Sequence, residues 1–337
     1  MNEQLSNMQA GEIVKDTYSG ANGTPLKISS IGTIVKVLAP ATVANLVCGF
    51  DVLGMCLNEP NDLMEIKLLD EKKVIIISAD GYPLPLDPMQ NTAGAPLVEM
   101  LHELPDNIGF EVTIHKKIKP GSGIGSSAAS AAGAVVGANH LLNNFFSKQD
   151  LVRFAMFGEK VASGVKHADN IAPCIYGGIT LIRSIHPLDI IPITTPDLFV
   201  TIVHPQIEVR TSDARQILRK EVLLKDAIKQ WGNIAGLVAG FMQNDLSLIG
   251  RSLEDVIIEP VRSILIPGFD EVKLKCKEAG ALGGGISGSG PSVFMLSKDE
   301  PTARAVENVM KEIYDRIGLD YHTYVTTINK TGVEVIS

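Results

Sequence analysis

Alternating apolar and polar positions predict strands along this chain, and stretches of small and apolar residues predict helices between them. Residues 110, 112 and 114 are apolar while 111, 113 and 115 are polar, which is the period of a strand over Phe110–Lys117. Directly after it, Ser126–Leu142 consists mainly of Ala, other small residues and Leu, without Pro. That composition predicts a closely packed helix.

The same analysis predicts elements over most of the remaining sequence. We expect strands at Ile34–Leu38, Leu63–Leu69, Val74–Ser78, Gly178–Arg183, Phe199–His204, Val293–Ser297 and Tyr321–Ile328. We expect helices at Asn91–Leu104, Gln149–Ser163, across Asp213–Gly250, at Phe269–Glu278 and at Thr302–Ile317. Strands and helices that mix without strict alternation indicate an α+β protein of two layers.

The chain divides into three predicted regions. Residues 1–32 are polar and rich in Ser, Asn and Gly, so we expect a mobile or loosely attached extension whose role is unknown. Pro187, Pro192 and Pro196 crowd one interval, which predicts a domain boundary near residue 186. The expected domains are therefore residues 33–185 and 186–337.

Composition excludes several classes of function. The 337 residues are 45% hydrophobic and 20% charged, with a formal net charge of −8 and no basic block, so nucleic acid is not an expected partner. No stretch has the length of a membrane span and the N-terminus does not resemble a signal peptide. The four Cys are irregularly spaced and the seven His show no ligand spacing, which favours free thiols in a cytoplasmic protein without a zinc site.

The most informative segment is the glycine-rich stretch at 120–127, between the predicted strand and helix. Backbone N–H groups and the positive end of a helix dipole converge at such a turn. The absence of Cβ at Gly121, Gly123 and Gly125 lets a phosphate approach the backbone, and Ser126 and Ser127 add hydroxyls. No Lys precedes the serines, so this is not a Walker A sequence. The alternative is a plain turn before a tightly packed helix.

A second glycine cluster lies at Gly280–Pro291. It formally contains G-x-G-x-x-G, but a helix precedes it and a strand follows, the reverse of a dinucleotide-binding turn. We interpret it as a flexible loop where backbone approaches a ligand, and the alternative is a simple helix-to-strand connector.

Five motifs in order resemble the GHMP kinase superfamily, which phosphorylates small alcohols with ATP. Three are the segment Pro40–Gly54, the loop at 120–127 and Gly283–Pro291. The residues of the first motif, together with Lys166–Pro173 and Glu259–Arg262, resemble those of the homoserine kinases in particular. The similarity covers about residues 33–330, and one departure is Val47, where family members usually carry Gly.

The resemblance implies an ATP site with Mg²⁺. The expected triphosphate cradle is Gly121, Ser122, Gly123, Ile124, Gly125, Ser126 and Ser127. Asn91 and Lys116 lie where they could reach the nucleotide. Ser127 and Glu159 are the implied Mg²⁺ ligands, because a hydroxyl and one carboxylate with retained waters suit this ion.

The resemblance also implies a site for the zwitterion L-homoserine. Arg215 and Arg262 would bind its carboxylate, because guanidinium groups bind carboxylates bidentately. Asp51 would meet the amino group and Asn45 the hydroxyl. The remaining implied substrate residues are Thr211, Gly288 and Asn170.

Catalysis is expected to rely on Ser127, Glu159 and Asn170. Related kinases place an Asp base seven residues before a Gly-Gly pair, and the matching residue here is Asn170 before Gly177. An amide accepts no proton at neutral pH, so Asn170 can orient a hydroxyl but not deprotonate it. We therefore expect catalysis by positioning and electrostatics, with adjacent Asp169 uninvolved.

The resemblance further implies a fold and an assembly. The N-terminal domain would be ribosomal-S5-like with a left-handed βαβ unit, the C-terminal domain ferredoxin-like, and the active site would lie between them. A homodimer in the cytoplasm is implied as well.

Three alternatives remain at this stage. Ser163–Lys166 and Lys330–Gly332 match serine β-lactamase motifs, but their spacing and order argue against that class. A non-catalytic ligand sensor on the same fold would not need the Ser127 and Glu159 pair. A sister kinase for mevalonate, galactose or shikimate would not need Asp51 as an amine partner.

Overall fold

The structure is a computed structural model that describes residues 25–336. Its strands are β1 (Ile34–Ala44), β2 (Leu53–Leu69), β3 (Val74–Gly81), β4 (Gly109–Lys116), β5 (Ile179–Ile185), β6 (Leu188–Ile193), β7 (Phe199–Pro205), β8 (Gly283–Ile286), β9 (Val293–Ser297), β10 (Tyr321–Thr327) and β11 (Glu334–Val335). Its helices are α1 (Gly94–Leu101), α2 (Ser126–Leu141), α3 (Lys148–Ser163), α4 (Ile171–Tyr176), α5 (Thr211–Gln216), α6 (Leu224–Gln243), α7 (Leu246–Ser252), α8 (Glu259–Arg262), α9 (Phe269–Glu278) and α10 (Glu300–Ile317). Short 3-10 turns lie at Pro88–Gln90 and Ser263–Leu265.

The first sheet carries the N-terminal domain. Its strand order is β11-β1-β2-β4-β3, and the hairpin β5-β6 attaches to the start of β2. All pairs are antiparallel except β3 and β4, which are parallel and connected through α1. This is the expected βαβ unit, and its hand stays a prediction.

Helix α2 lies close on the first sheet, as its composition predicts. A Cβ on Gly133 would stand 2.6 Å from the Met64 sulfur, and one on Gly137 would stand 2.5 Å from Ile66. Larger residues at these positions would push the helix away from β2. The small residues of α2 therefore fix the height of this helix over the sheet in its middle and second half.

The second sheet has the order β10-β7-β9-β8 with every pair antiparallel. Numbered within this domain, the order is 4-1-3-2, and α9 and α10 precede β8 and β10 along the chain. This is ferredoxin-like topology, which confirms the expected α+β class and the expected C-terminal domain.

Sheet membership corrects the predicted boundaries. Strand β6 follows residue 186 yet pairs with β5, and β11 near the C-terminus pairs with β1. The crowded prolines therefore mark the edge hairpin of the first sheet, where Pro is tolerated, and the domains divide between Ile193 and Phe199. Residues 1–24 of the predicted extension lie outside the described residues. Residues 25–32 are not loosely attached, because Leu26 is fully buried and the Ser29 amide donates to the carbonyl oxygen of Leu141 at 2.8 Å.

Other elements differ in extent from the sequence prediction. The first motif spans the end of β1, the turn at 45–52 and the start of β2, and α4 forms where no helix was predicted. The second glycine cluster is not all loop, because Gly283–Ile286 forms β8. Glycine is required there, since a Cβ on Gly285 would stand 1.7 Å from a carboxylate oxygen of Glu259.

Candidate active site

One cavity of about 530 Å³ lies between the loops of the two domains. Most of the predicted site residues line it: Asn45, Asp51, Asn91, Lys116, Gly121, Gly123, Gly125, Ser126, Ser127, Glu159, Asn170, Thr211, Arg215, Arg262 and Gly288. Ser122 and Ile124 do not line it, because both are buried beneath the loop. Their side chains are therefore structural. The Ser122 amide donates to the Lys119 carbonyl, so only the backbone of Ile124 still faces a ligand, and its assignment to the cradle stays a prediction.

The loop before α2 presents a concave array of backbone amides. Gly121, Gly123 and Gly125 have φ values of 75°, 81° and 69°, in the left-handed region that favours glycine. Among residues 25–336, no group accepts a hydrogen bond from the backbone amides of residue 121 or of residues 123–128. Together with the N-terminus of the 16-residue α2, these amides form an anion-binding site.

A buried ion pair holds this loop from below. Asp62 on β2 pairs with Lys116 at the end of β4, and its other oxygen accepts from the amides of Lys117 and Ile118 at 2.8 and 2.9 Å. The Lys116 ammonium also donates to the Ser126 carbonyl at 2.7 Å and to the Ser130 hydroxyl at 2.9 Å. Its three donors are used, so Lys116 supports the loop and does not reach the nucleotide as expected.

Two more residues that were predicted to bind the nucleotide have side chains that form hydrogen bonds within the protein. The Ser126 hydroxyl donates to the Ile118 carbonyl at 2.8 Å, so only its amide faces a ligand. The Asn91 side chain accepts from the amides of Ala93 and Gly94 at the start of α1 and donates to the Pro85 carbonyl at 2.7 Å. Asn91 thus shapes the cavity wall.

Ser127 and Glu159 come together as predicted. Ser127 is in the first turn of α2 and Glu159 lies on α3, and the hydroxyl donates to the carboxylate at 2.8 Å. Burial raises the pKa of Glu159, partly offset by this hydrogen bond. No cationic side chain among residues 25–336 offsets that burial. A buried carboxylate beside a hydroxyl and a phosphate site fits a divalent cation.

Asn170 and Asp169 reach the cavity from the turn before α4. Thr42 donates its hydroxyl to the Asn170 side-chain oxygen at 2.8 Å, which leaves the amide N–H₂ group to face a ligand. Asp169 also lines the cavity, and sequence analysis missed it because neighbouring residues usually point apart. Burial, reinforced by the charges of Asp51 and Glu159, raises the pKa of Asp169 to about 8. This carboxyl is therefore mostly protonated at pH 7.

The other end of the cavity carries opposite charges side by side. One guanidinium nitrogen of Arg215 donates to both carboxylate oxygens of Asp51, at 2.9 and 3.1 Å. His167 stands 3.6 Å from the same carboxylate, and burial lowers the pKa of this imidazole. Residues expected to bind the two charged groups of an amino acid thus bind each other. His167 lies within the Lys166–Pro173 motif, which was the signal for it.

Arg262 is buried at the junction of three segments. It donates from Nε to the Ala214 carbonyl at 3.0 Å and from Nη1 to the Gly288 carbonyl at 3.1 Å. Burial and the charge of neighbouring Arg215 lower the pKa of Arg262 to about 10. Asn45 donates to the same Gly288 carbonyl at 2.8 Å, so this glycine joins the domains across the cavity. Arg262, which is expected to bind the substrate carboxylate, therefore also stabilises the fold.

Two local features complete this end. The Thr211 hydroxyl lies 3.2 Å from that of Ser289, which ties α5 to the second glycine loop. Phe50 lies under both guanidinium groups. Its ring centroid is 5.3 Å from the guanidinium carbon of Arg215 and 4.9 Å from that of Arg262. Phe50 was not predicted, although it directly precedes Asp51.

The turn between β1 and β2 is strained. Asn45, Val47 and Asp51 have φ values of 72°, 67° and 61°. A β-branched residue rarely adopts such a φ, so Val47 is held in a conformation that favours glycine. Strain of this kind concentrates at binding sites, and here it aims Asn45 and Asp51 into the cavity.

Comparisons with known proteins agree with this geometry. The GHMP kinases N terminal domain family matches residues 91–178, and the GHMP kinases C terminal family matches residues 237–316. A homoserine kinase of Chloroherpeton thalassium is 45% identical over 316 residues, covering 90% of this chain and 99% of that protein. The chain belongs to the homoserine kinases of the GHMP family.

Further homoserine kinases extend the similarity. One from Methanococcus vannielii is 40% identical over 294 residues, covering 85% of this chain and 96% of its own. The crystal structure of a homoserine kinase from Cytophaga hutchinsonii has a TM-score of 0.87 at 48% identity, covering 92% of this chain and all of that one. A mevalonate kinase from L. major, solved with R-mevalonate, has a TM-score of 0.69 at 16% identity and shares the fold.

Two further observations concern residues 25–336. They contain no helix long and apolar enough to cross a membrane. They also contain no group of three or more His, Cys, Asp or Glu side chains arranged to hold a metal ion. A cation at Ser127 and Glu159 would therefore need phosphate oxygens and water to complete its coordination.

Proposed function

We propose that this chain transfers the γ-phosphoryl group of ATP to the side-chain hydroxyl of L-homoserine, giving O-phospho-L-homoserine for threonine biosynthesis. The observation that carries the proposal is one cavity with two chemically different ends. Free amides at the start of α2 suit a triphosphate, while Asp51, Arg215 and Arg262 suit an α-amino acid. Neither mevalonate nor galactose offers an ammonium group for Asp51.

Substrate binding requires exchange of ion pairs. The amino group of homoserine would take the place of Arg215 at Asp51, and the freed guanidinium would join Arg262 at the carboxylate. Each charge exchanges one partner for another, so no charge is left unpaired in the cavity. An alcohol that lacks either charged group would leave one member of the Asp51–Arg215 pair without its replacement.

The side chains near the reacting hydroxyl can orient it. The free N–H₂ group of Asn170 can donate to the hydroxyl oxygen, and its orientation is fixed by the bond from Thr42. Ser127 and Glu159 would hold Mg²⁺, which neutralises charge on the phosphates. The amides of residues 121 and 123–128 would bind phosphate oxygens without rearrangement, which is the preorganisation that phosphoryl transfer needs. The proton would leave late or pass to a phosphate oxygen.

The same family membership supports a homodimer in the cytoplasm, which we include in the proposal. The decisive experiment measures ADP release with MgATP over a panel of small alcohols: L-homoserine, mevalonate, galactose and shikimate. We expect kcat/KM for L-homoserine to exceed the others by at least about 100-fold, the discrimination that a lost buried polar contact produces. Preference for another alcohol would overturn the proposal, and no turnover with any would favour the sensor alternative.

A further inference from the structure

Arg215 and Arg262 lie close together at the amino-acid end of the cavity although they carry the same charge. They come from different elements, since Arg215 is on α5 and Arg262 is on α8. Like charges at short range repel each other. Burial, and after it the charge of Arg215, lowers the pKa of Arg262 to about 10. Contacts with other groups must therefore keep both guanidinium groups in place until a carboxylate neutralises them.

The two arginines are held to different extents. Arg262 is 3% exposed and donates hydrogen bonds to two backbone carbonyls. Within residues 25–336, the guanidinium of Arg215 donates only to Asp51, and its Nε is buried without a hydrogen-bond partner. In the proposed function, the amino group of the substrate takes Asp51. Arg215 would then lose the carboxylate that holds it, at the step in which it has to meet the substrate carboxylate.

The ring of Phe50 contacts both guanidinium groups. The two distances from its centroid, 5.3 Å to Arg215 and 4.9 Å to Arg262, lie within the range of about 6 Å over which an aromatic face attracts a cation. Phe50 is half-buried and lines the cavity. The attraction between a cation and an aromatic face increases when both are removed from water, so this position favours it.

The backbone on both sides of Phe50 is fixed by hydrogen bonds within the turn between β1 and β2. The Asp51 amide donates to the side-chain oxygen of Asn45 at 3.1 Å. The Leu53 amide donates to the Gly49 carbonyl at 2.9 Å. The ring is thus attached to a closed turn by a short side chain with two rotatable bonds, whereas each guanidinium is attached by a long, flexible one. Phe50 can therefore act as the fixed partner of the two arginines.

We propose that Phe50 is a positioning residue for the substrate carboxylate. Its ring holds the guanidinium groups of Arg215 and Arg262 side by side, and it retains Arg215 when the amino group of the substrate takes its place at Asp51. The inference rests on the proposed function and deepens it at the amino-acid end of the same site. Groups that are held in their binding geometry in advance lose less conformational entropy when the ligand arrives, so the ring increases affinity for the substrate.

Site-specific fluorination of Phe50 separates this attraction from packing. Fluorine withdraws electron density from the ring face, which weakens its attraction for a cation, while it changes the shape of the side chain little. We expect KM for L-homoserine to rise stepwise with 4-fluoro-, 3,5-difluoro- and 3,4,5-trifluorophenylalanine at position 50, to about tenfold for the last. Phe50→Leu, which is apolar without an aromatic face, should raise this KM at least as much. Because only substrate binding is weakened, kcat and KM for ATP should barely change.

The same fluorination series at Phe154 is the matched control. The guanidinium carbon of Arg153 lies 4.3 Å from the centroid of that ring, outside the lining of the cavity, so KM for homoserine should stay unchanged. A flat or falling KM along the series at Phe50 would overturn the role, because packing alone predicts that result. An equal rise in KM for ATP would overturn it as well. A wild type that phosphorylates another alcohol but not homoserine would overturn the proposed function together with this role, whereas a flat series in an enzyme that phosphorylates homoserine would overturn the role alone.

Discussion

In the proposed function, the two ends of the cavity would bind their ligands by different physical means. At the phosphate end, the contacts are backbone amides, and the side chains of Lys116, Ser126 and Asn91 support the backbone from behind. At the proposed amino-acid end, the contacts would be charged side chains, and Asp51 and Arg215 pair with each other. On this proposal the first end is built in advance, whereas the second would have to exchange partners.

This difference predicts which end of the cavity determines substrate specificity and which determines the rate of phosphoryl transfer. A fixed array of amides accepts any phosphate chain and loses nothing to rearrangement. A pair of charged side chains discriminates between substrates, because an alcohol without both charges leaves a group unpaired. Changes at the phosphate end should therefore act on kcat and the ATP parameters, and changes at the amino-acid end on kcat/KM for homoserine.

The largest effect is expected from Glu159→Ala, which removes the carboxylate of the Ser127–Glu159 pair. We expect kcat to fall about 1,000-fold, or about 4 kcal/mol, because charge on the phosphates loses its preorganised counterpart. Asn170→Ala should cost less than about tenfold, since orientation alone is lost. Steady-state kinetics over a range of Mg²⁺ concentrations measures both. A collapse of kcat in Asp169→Asn, with folding and KM intact, would instead identify Asp169 as a base.

At the other end, Arg215→Ala should lower kcat/KM for homoserine by about 2–4 kcal/mol, as for a charge pair that loses one member. KM for ATP should barely change. Arg251→Ala, on the surface of α7, is the control. Arg262→Ala should cost a similar amount of kcat/KM and also lower the free energy of unfolding, because Arg262 bonds two backbone carbonyls. Equal losses for both substrates would show that Arg215 acts structurally.

Two glycines of the loop sharpen the description of the phosphate end. A Cβ on Gly125 would stand 1.9 Å from the Thr42 hydroxyl, while one on Gly121 would meet nothing within 4 Å. Both positions have positive φ, so each Ala variant pays about 1–2 kcal/mol in strain. Gly125→Ala should additionally displace the loop and raise KM for ATP about tenfold or more, while Gly121→Ala should not. Equal kinetics for the two variants would contradict the preformed array.

The smallest effect concerns stability and pH. Burial raises the pKa of Asp169 from its ordinary value of 3.8 to about 8. As pH rises, the unfolded chain therefore loses this proton at a lower pH than the folded protein does. The folded state binds more protons between these values, and stability falls as pH rises. The free energy of unfolding of wild type relative to Asp169→Asn should drop by at most about 1.4 kcal/mol per pH unit. Urea unfolding from pH 5 to 8, with exposed Asp106→Asn as control, measures it; a flat difference would contradict it.

Much of the fold and of the site could be predicted from local pattern. The period of Phe110–Lys117, the small residues of α2 and the glycines before it specify a strand, a packed helix and an anion-binding turn within one short segment. The Ser127–Glu159 pair and the charged set around Asp51 followed from motifs whose order along the chain resembles the family. In each case the signal is a short local motif, although the partners that the motifs supply lie up to 164 residues apart.

What the sequence by itself determined is therefore the type of each element and the residue types that carry the chemistry. The tertiary structure alone decided which polar atoms are already used. The Lys116 ammonium pairs with Asp62, 54 residues away in sequence. The Gly288 carbonyl accepts a hydrogen bond from the side chain of Asn45, 243 residues away. It also placed β6 and β11 in the first sheet and Asp169 in the cavity. The physical reason is that hydrogen-bond satisfaction and burial depend on contacts between distant segments, and no local period encodes them.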